Sequence, residues 1–302
     1  MWLITAAAAG AGLFLYSWFI EPRWRRIFHR SISLGKHDLQ PLKILHLSDF
    51  HFYRGADERK RFLQGLSGRE LDFIFITGDF IDNDSGIDVC IEALRPLKAR
   101  YGIYAVLGNH DYVHISWRSW FHRTGTLVYD LCHEFNDVER LAGELKKIGI
   151  RILRNERDVV EVDGVPITIA GVDDPYTQHD DIPQTFDGYT KDGPCFVLIH
   201  TPDRYRELAE RHVDMVFSGH THGGQICLPF WGPIITRSLA PRRMAYGLND
   251  LNGTKYYTTR GVGSSRWTRP RFLCRPEINY FEFLFGKDWK SSPEFEQNQG
   301  YN

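Results

Sequence analysis

A chain of 302 residues can bury one large core or two small ones. Its 42% hydrophobic and 25% charged residues are ordinary for a globular protein, and its formal net charge is −1. Five widely spaced cysteines with no C-x-x-C pair argue against thiolate zinc sites and dithiol redox motifs, and the odd count fits a reducing compartment.

Trp2 to Ile20 comes first, an uncharged run reading WLITAAAAGAGLFLYSWFI. At 1.5 Å per residue it spans just under the ~30 Å hydrocarbon core of a bilayer. Arg23, Arg25, Arg26 and Arg30 follow, and Trp2, Tyr16, Trp18 and Trp24 lie near its ends, where aromatic rings favour the interface. A cleaved signal peptide carries its charge before the apolar run and small residues after it. Here the order is reversed, so residues 1–22 are expected to be an uncleaved anchor. Residues 23–42 then read as a juxtamembrane linker, with a short edge strand as the alternative for 31–42. The positive-inside rule places the arginines, and all that follows, on the cytoplasmic side of a cell inner membrane. The rival readings are a secreted protein, favoured only by cleavage, and a buried N-terminal helix.

From Lys43 onward, apolar runs of strand length alternate with helix-like stretches. KILHLS is followed by a helical pattern over 56–66, DFIFIT by one over 87–98, and GIYAVLG comes next. The runs lack strict polar alternation, as expected for strands covered on both faces of an α/β domain. Residues 112–137 hold Trp117, Trp120, Phe121, Tyr129 and Phe135 without a clean period and read as an insertion of the kind that forms lids. A helix over 138–148 and three short strands over 150–170 follow. CFVLIH and VDMVFSG frame a further βαβ-like unit, and 244–285 reads as β-rich. The domain is expected to end near 285, with 286–302 as a flexible tail.

Polar clusters punctuate the ends of these strands: Asp49-x-His51, Gly78-Asp79, Gly108-Asn109-His110-Asp111, His200, and Gly219-His220-Thr221-His222. Ligand sites in open α/β sheets form at the carboxyl ends of strands. A single histidine on an apolar strand is usually a core residue, which is the reading for His46 and His212. Five strand ends carrying metal-competent groups point instead to one metal centre. Carboxylate and imidazole without thiolate suits Mn²⁺, Fe²⁺, Zn²⁺ or Co²⁺. The glycines at 78, 108 and 219 are expected to supply sharp turns.

The ordered set D-x-H, G-D, G-N-H-D, H and G-H-x-H resembles the calcineurin-like metallophosphoesterase superfamily over residues 43–285. The resemblance implies a four-layer α/β/β/α sandwich of two mixed sheets and two divalent metal ions, with manganese favoured. It implies Asp49, His51 and His222 on one metal, Asn109, His200 and His220 on the other, and Asp79 bridging them. His110 is then a catalytic group near the scissile phosphate, oriented by Asp111. Two cations roughly 3.5–4 Å apart activate water and neutralise phosphoryl oxygens. A catalytically dead, anchored binding module would be expected to lose some of these residues, and all are present.

The longer stretch GHTHGGQICLPFWGPIITRS, with RGVGSS and CRPEI downstream, resembles a branch of membrane-associated bacterial phosphoesterases. That branch holds generic phosphodiesterases and UDP-2,3-diacylglucosamine pyrophosphatases of lipid A synthesis, and these motifs fit both. The expected partners are a membrane and a phosphorylated, lipid-linked substrate, with no nucleic acid. Between Gly223 and Arg275 stand eight arginines and one lysine against Asp250. This is either a solvated basic face or a surface for anionic substrate or headgroups. Phe230 and Trp231, in a segment broken by Pro229, Gly232 and Pro233, read as an exposed loop for acyl chains, with Arg260, Arg266 and Arg269 for phosphate oxygens. The alternative places the two aromatics in the core and the arginines in structural ion pairs.

Overall fold

The computed structural model describes residues 2–35, 37–114, 134–286 and 295–300. In chain order its strands are β1 (Arg26–Ser33), β2 (Leu42–Leu47), β3 (Phe73–Thr77), β4 (Gly102–Val106), β5 (Val113–His114), β6 (Glu134–Phe135), β7 (Ile150–Ile152), β8 (Glu156–Val162) and β9 (Val165–Val172). They continue as β10 (Cys195–Ile199), β11 (Met215–Ser218), β12 (Cys227–Leu228), β13 (Gly232–Pro233), β14 (Gly247–Leu251), β15 (Thr254–Thr258), β16 (Glu277–Leu284) and β17 (Phe295–Gly300).

Two mixed sheets result, one ordered β17-β1-β16-β2-β3-β4-β7 and the other β14-β15-β11-β10-β9-β8. In the first, β2, β3, β4 and β7 run parallel; in the second, β9, β10, β11 and β15 do. Strand alternation divides the side chains between two faces. Ile44, Phe73, Phe75 and Val106 meet Ile169, Phe196, Leu198 and Phe217 in a core between the sheets. On the opposite face Leu45, Ile74 and Ile76 pack on Leu63 of α2 (Asp57–Gln64), Ile91 of α3 (Ile87–Leu94) and Leu141 of the helix Val138–Lys147. Val197, Ile199 and Val216 pack outward on Ile182 and Leu208 of two short helices, completing an α/β/β/α sandwich. Every residue of β3, β10 and β11 is buried, which is why these strands read as unbroken apolar runs.

The N-terminal helix α1 (Trp2–Leu15) continues through a π-helical turn (Tyr16–Ile20) into a short 3₁₀ turn, Glu21–Arg23. Residues Ile4–Arg23 are long and apolar enough to cross a membrane by length and composition. The end of this helix is tied to the loop 271–275. Arg271 N–H donates to Ser17 O (2.8 Å), Cys274 N–H to Glu21 Oε1 (2.5 Å), and Arg275 lies over the Trp24 ring.

Several expectations are corrected. The segment 23–42, expected as a linker, contains β1, an interior strand that pairs parallel with β16 and antiparallel with β17 and buries Ile27, Phe28 and Ile32. The globular domain therefore begins before residue 43. The expected tail supplies β17, so 295–300 belongs to a sheet edge. His46 is a core residue hydrogen-bonded to Thr77 Oγ1 at 2.9 Å, but His212 is exposed, on a turn at positive φ. Most of the expected lid, residues 115–133, lies outside the described residues.

Candidate metal centre

The carboxyl ends of β2, β3 and β4 in one sheet meet those of β10 and β11 in the other. The loops beyond them are laced by backbone hydrogen bonds: Asp49 N to Gly78 O (3.0 Å), His51 N to Asp79 O (3.0 Å) and Gly219 N to His200 O (2.9 Å). Asp49, His51, Asp79, His220 and His222 all have φ between 49° and 66°. Such backbone costs of order 1–3 kcal/mol per residue and persists only where surrounding bonds hold it. The expectation for the glycines is half right. Gly78 turns at φ 81°, but Gly108 and Gly219 serve close approach, since a Cβ would lie 2.4 Å from Asp79 Oδ1 at the first and 2.5 Å from Asp49 Oδ2 at the second.

The seven expected ligands converge in two linked groups. In the first, His51 Nε2 lies 3.1 Å from His222 Nε2 and 3.4 Å from Asp79 Oδ2, and His222 Nε2 lies 3.6 Å from Asp49 Oδ1. One ligand atom from each of these four residues falls within 4.8 Å of the others. In the second, His200 Nε2 lies 3.3 Å from Asp79 Oδ1, and His220 Nδ1 lies 2.9 Å from Asn109 Oδ1. Asp79 thus turns one oxygen to each group, as a bridging carboxylate must.

The donor set fits cations on its own chemistry. Asp49 Oδ2 is buried without a hydrogen-bond partner, and His200 Nε2 is buried with the Asp79 carboxylate 3.3 Å away. His220 Nε2 donates to Arg237 O (3.0 Å) and burial keeps its ring neutral, so Nδ1 holds a lone pair facing the Asn109 oxygen. A cation between them would satisfy both acceptors. His200 donates Nδ1–H to Thr77 O (2.6 Å), and Asp82 takes the Nδ1 proton of His51 (3.0 Å), which aims each Nε2 inward. Burial alone would lower the His200 pKa, but the facing Asp79 carboxylate raises it to about 10. Burial alone would raise Asp79, yet His200, His110 and His51 hold it well below the usual carboxylate range. The Asp79 carboxylate demands positive charge here.

His110, at the start of α4 (Asn109–Tyr112), is buried and packs edge-on against His51 at 4.7 Å between ring centroids. The expected partner Asp111 does not orient it. Asp111 accepts from the backbone N–H of Phe80 (2.7 Å), Ile81 (3.2 Å) and Gly108 (2.8 Å), clamping the β3 and β4 loops together. The carboxylate facing His110 is Asp82, with Oδ1 at 3.9 Å from Nδ1. Burial lowers the His110 pKa to about 4, so the resting ring is neutral rather than titrating near neutrality. Asp82 was not expected from sequence, although an acid three residues after Asp79 was a signal. Arg271, one of the arginines expected to serve phosphate or headgroup oxygens, is instead fully buried, with Nη2 3.1 Å from His222 Nδ1.

Residues 42–224 match the calcineurin-like phosphoesterase family. The chain belongs to that family. It is 32% identical to the uncharacterized metallophosphoesterase YkuE of Bacillus subtilis over 91% of this chain and 93% of the relative. Phosphodiesterase YaeI of Escherichia coli is 28% identical, covering 92% and 96%. The UDP-2,3-diacylglucosamine pyrophosphatase LpxG of Chlamydia trachomatis is 27% identical, covering 94% and 96%. As a member of the family the chain is a metal-dependent phosphoric ester hydrolase.

The expected substrate contacts divide. Phe230 and Trp231 are exposed, at 111% and 69%. They sit at the tip of the β12–β13 hairpin. Arg260 lies over the Tyr246 ring and faces Glu277 at 3.8 Å. Arg266 meets the centre through its backbone, N–H to Asp82 Oδ2 at 2.8 Å, with its side chain over Trp267. Arg269 lines a cavity at the end of the N-terminal helix. The ion-pair reading thus holds for Arg260, and the exposed reading for the two aromatics.

Proposed function

We propose that the chain is a membrane-anchored two-metal hydrolase of a phosphodiester or diphosphate linkage in a lipid-linked substrate, of the kind represented by UDP-2,3-diacylglucosamine. The observation that carries this reading is the segment 228–239. It exposes Phe230, Trp231, Ile235 and Leu239, and its Arg237 carbonyl bonds the ligand His220. An apolar patch of this kind marks an interaction surface, and it begins at the metal centre. The names of the relatives LpxG and YaeI support a diphosphate and a phosphodiester respectively.

Asp49, His51, Asp79 and His222 would hold one cation, and Asn109, His200, His220 and Asp79 the other, with Mn²⁺ the favoured metal for this donor set. When bound, the pair supplies an activated water and neutralises phosphoryl oxygens. His110 donates a proton to the leaving oxygen once the substrate's negative charge raises its pKa. The apolar run followed by Arg23, Arg25, Arg26 and Arg30 supports a location on the cytoplasmic face of a cell inner membrane.

The deciding experiment compares acylated and unacylated nucleotide diphosphate sugars, plus a small aryl phosphodiester, on Mn²⁺-loaded protein. The acylated substrate is expected to have the much higher kcat/KM. Changing Phe230 and Trp231 to Ser should erode that preference and spare the aryl phosphodiester. Equal efficiency on the acylated and unacylated forms would leave a phosphodiesterase of soluble substrates.

A further inference from the structure

A cavity of about 120 Å³ lies where the N-terminal helix meets the domain, lined by Pro22, Arg23, Arg25, Arg59, Ser264 and Arg269, with Glu58 at its wall. Its charge is unbalanced. Arg25 is paired with Glu58 at 2.5 Å. Arg59 is buried and, among the described residues, hydrogen-bonds only carbonyls: Phe50 O (2.7 Å), His51 O (2.6 Å) and Ser264 O (2.7 Å). Arg23 donates to the Phe19 carbonyl, and Arg269 makes no hydrogen bond or ion pair among the described residues. Arg23 and Arg269 therefore line this small space without a carboxylate in contact among the described residues.

We propose that this cavity binds the phosphate headgroup of an anionic membrane lipid. Guanidinium forks match pairs of phosphate oxygens. Pro22 and Arg23 follow Ile20, the last residue of the apolar run, after the single intervening residue Glu21, which sets the cavity at headgroup depth when the helix spans a bilayer. The proposal rests on the anchor reading made above and not on the choice of substrate.

The test uses the full chain in detergent, with phosphatidylglycerol, phosphatidylcholine and inorganic phosphate as probes. Native mass spectrometry should show retained phosphatidylglycerol but not phosphatidylcholine, and only phosphatidylglycerol should raise the thermal midpoint. The double variant R23Q/R269Q should lower phosphatidylglycerol affinity by ~10-fold or more while keeping its metal content, which reports an intact fold. Equal retention of the two lipids, or a double variant that binds like the parent, would overturn the proposal. A midpoint raised equally by inorganic phosphate would make this a soluble-anion site and overturn the lipid assignment. Release of the chain from membranes by alkaline carbonate would instead defeat the anchor reading, whatever the cavity binds.

Discussion

At the scale of single residues, Asp82 and His110 separate positioning from chemistry. Asp82 accepts from His51 Nδ1 and from the Arg266 backbone, so it fixes the ring orientation of a ligand without itself facing both metal groups. Carboxylates in this position typically tune metal affinity by 10–100-fold. Asp82→Ala is expected to weaken metal binding on that scale, read by metal titration, with turnover restored by excess metal. His110→Ala is expected to keep both metals and lose ~10²-fold or more in kcat, the scale of a removed proton donor. Metal loss in the His110 variant would make it a ligand, and unchanged metal affinity in the Asp82 variant would deny the positioning role. The candidate ligands were legible as a set because each is a polar group ending an apolar run. The positive φ of five of them and the service of Asp82 and Arg271 were not, since both arise from loops that meet only in the folded chain.

At the scale of elements, the buried strands of the parallel runs announced themselves, whereas β1 did not. Its sequence RIFHRSIS carries no period of two, and its burial does not alternate. Its partners, β16 and β17, lie some 250 residues away in sequence, a pairing that no local pattern encodes. Strand β2 carries a second consequence. His46 is enclosed among Phe217, Tyr257 and Phe281, and burial lowers its pKa from 6.5 to about 3. The unfolded chain therefore binds this proton at a higher pH than the folded one. Its contribution to stability is complete above about 6.5 and is lost as pH falls toward 3. His46→Leu is expected to flatten the loss of urea stability between pH 7.5 and 5 relative to the parent chain, even where Thr77 loses its partner and the variant is less stable at neutral pH. Parallel pH profiles for the two proteins would contradict this.

At the scale of the molecule, the N-terminal helix, the metal centre and the apolar hairpin share one loop. Arg271 bonds Ser17 of the helix and His222 of the centre, and Phe272 pairs with Gln225 and Cys227 at the root of the hairpin. The two apolar elements therefore hang from the same support. Tethering fixes an enzyme and a bilayer-borne substrate at high effective concentration without any new contact at the centre. Removing residues 1–20 should leave β1 and the sheets intact, because the strand begins at Arg26. The shortened protein is expected to keep its metal content and its turnover of a soluble aryl phosphodiester. Its kcat/KM on a lipid-linked diphosphate in vesicles should fall by ~10²-fold or more, the low end of avidity lost with a tether. The same substrate dispersed in detergent should show a much smaller loss, since dispersal removes the advantage of the shared surface. An equal loss in vesicles and detergent would mean that the helix supports the catalytic centre directly, through Ser17 and Arg271, rather than delivering it to the membrane.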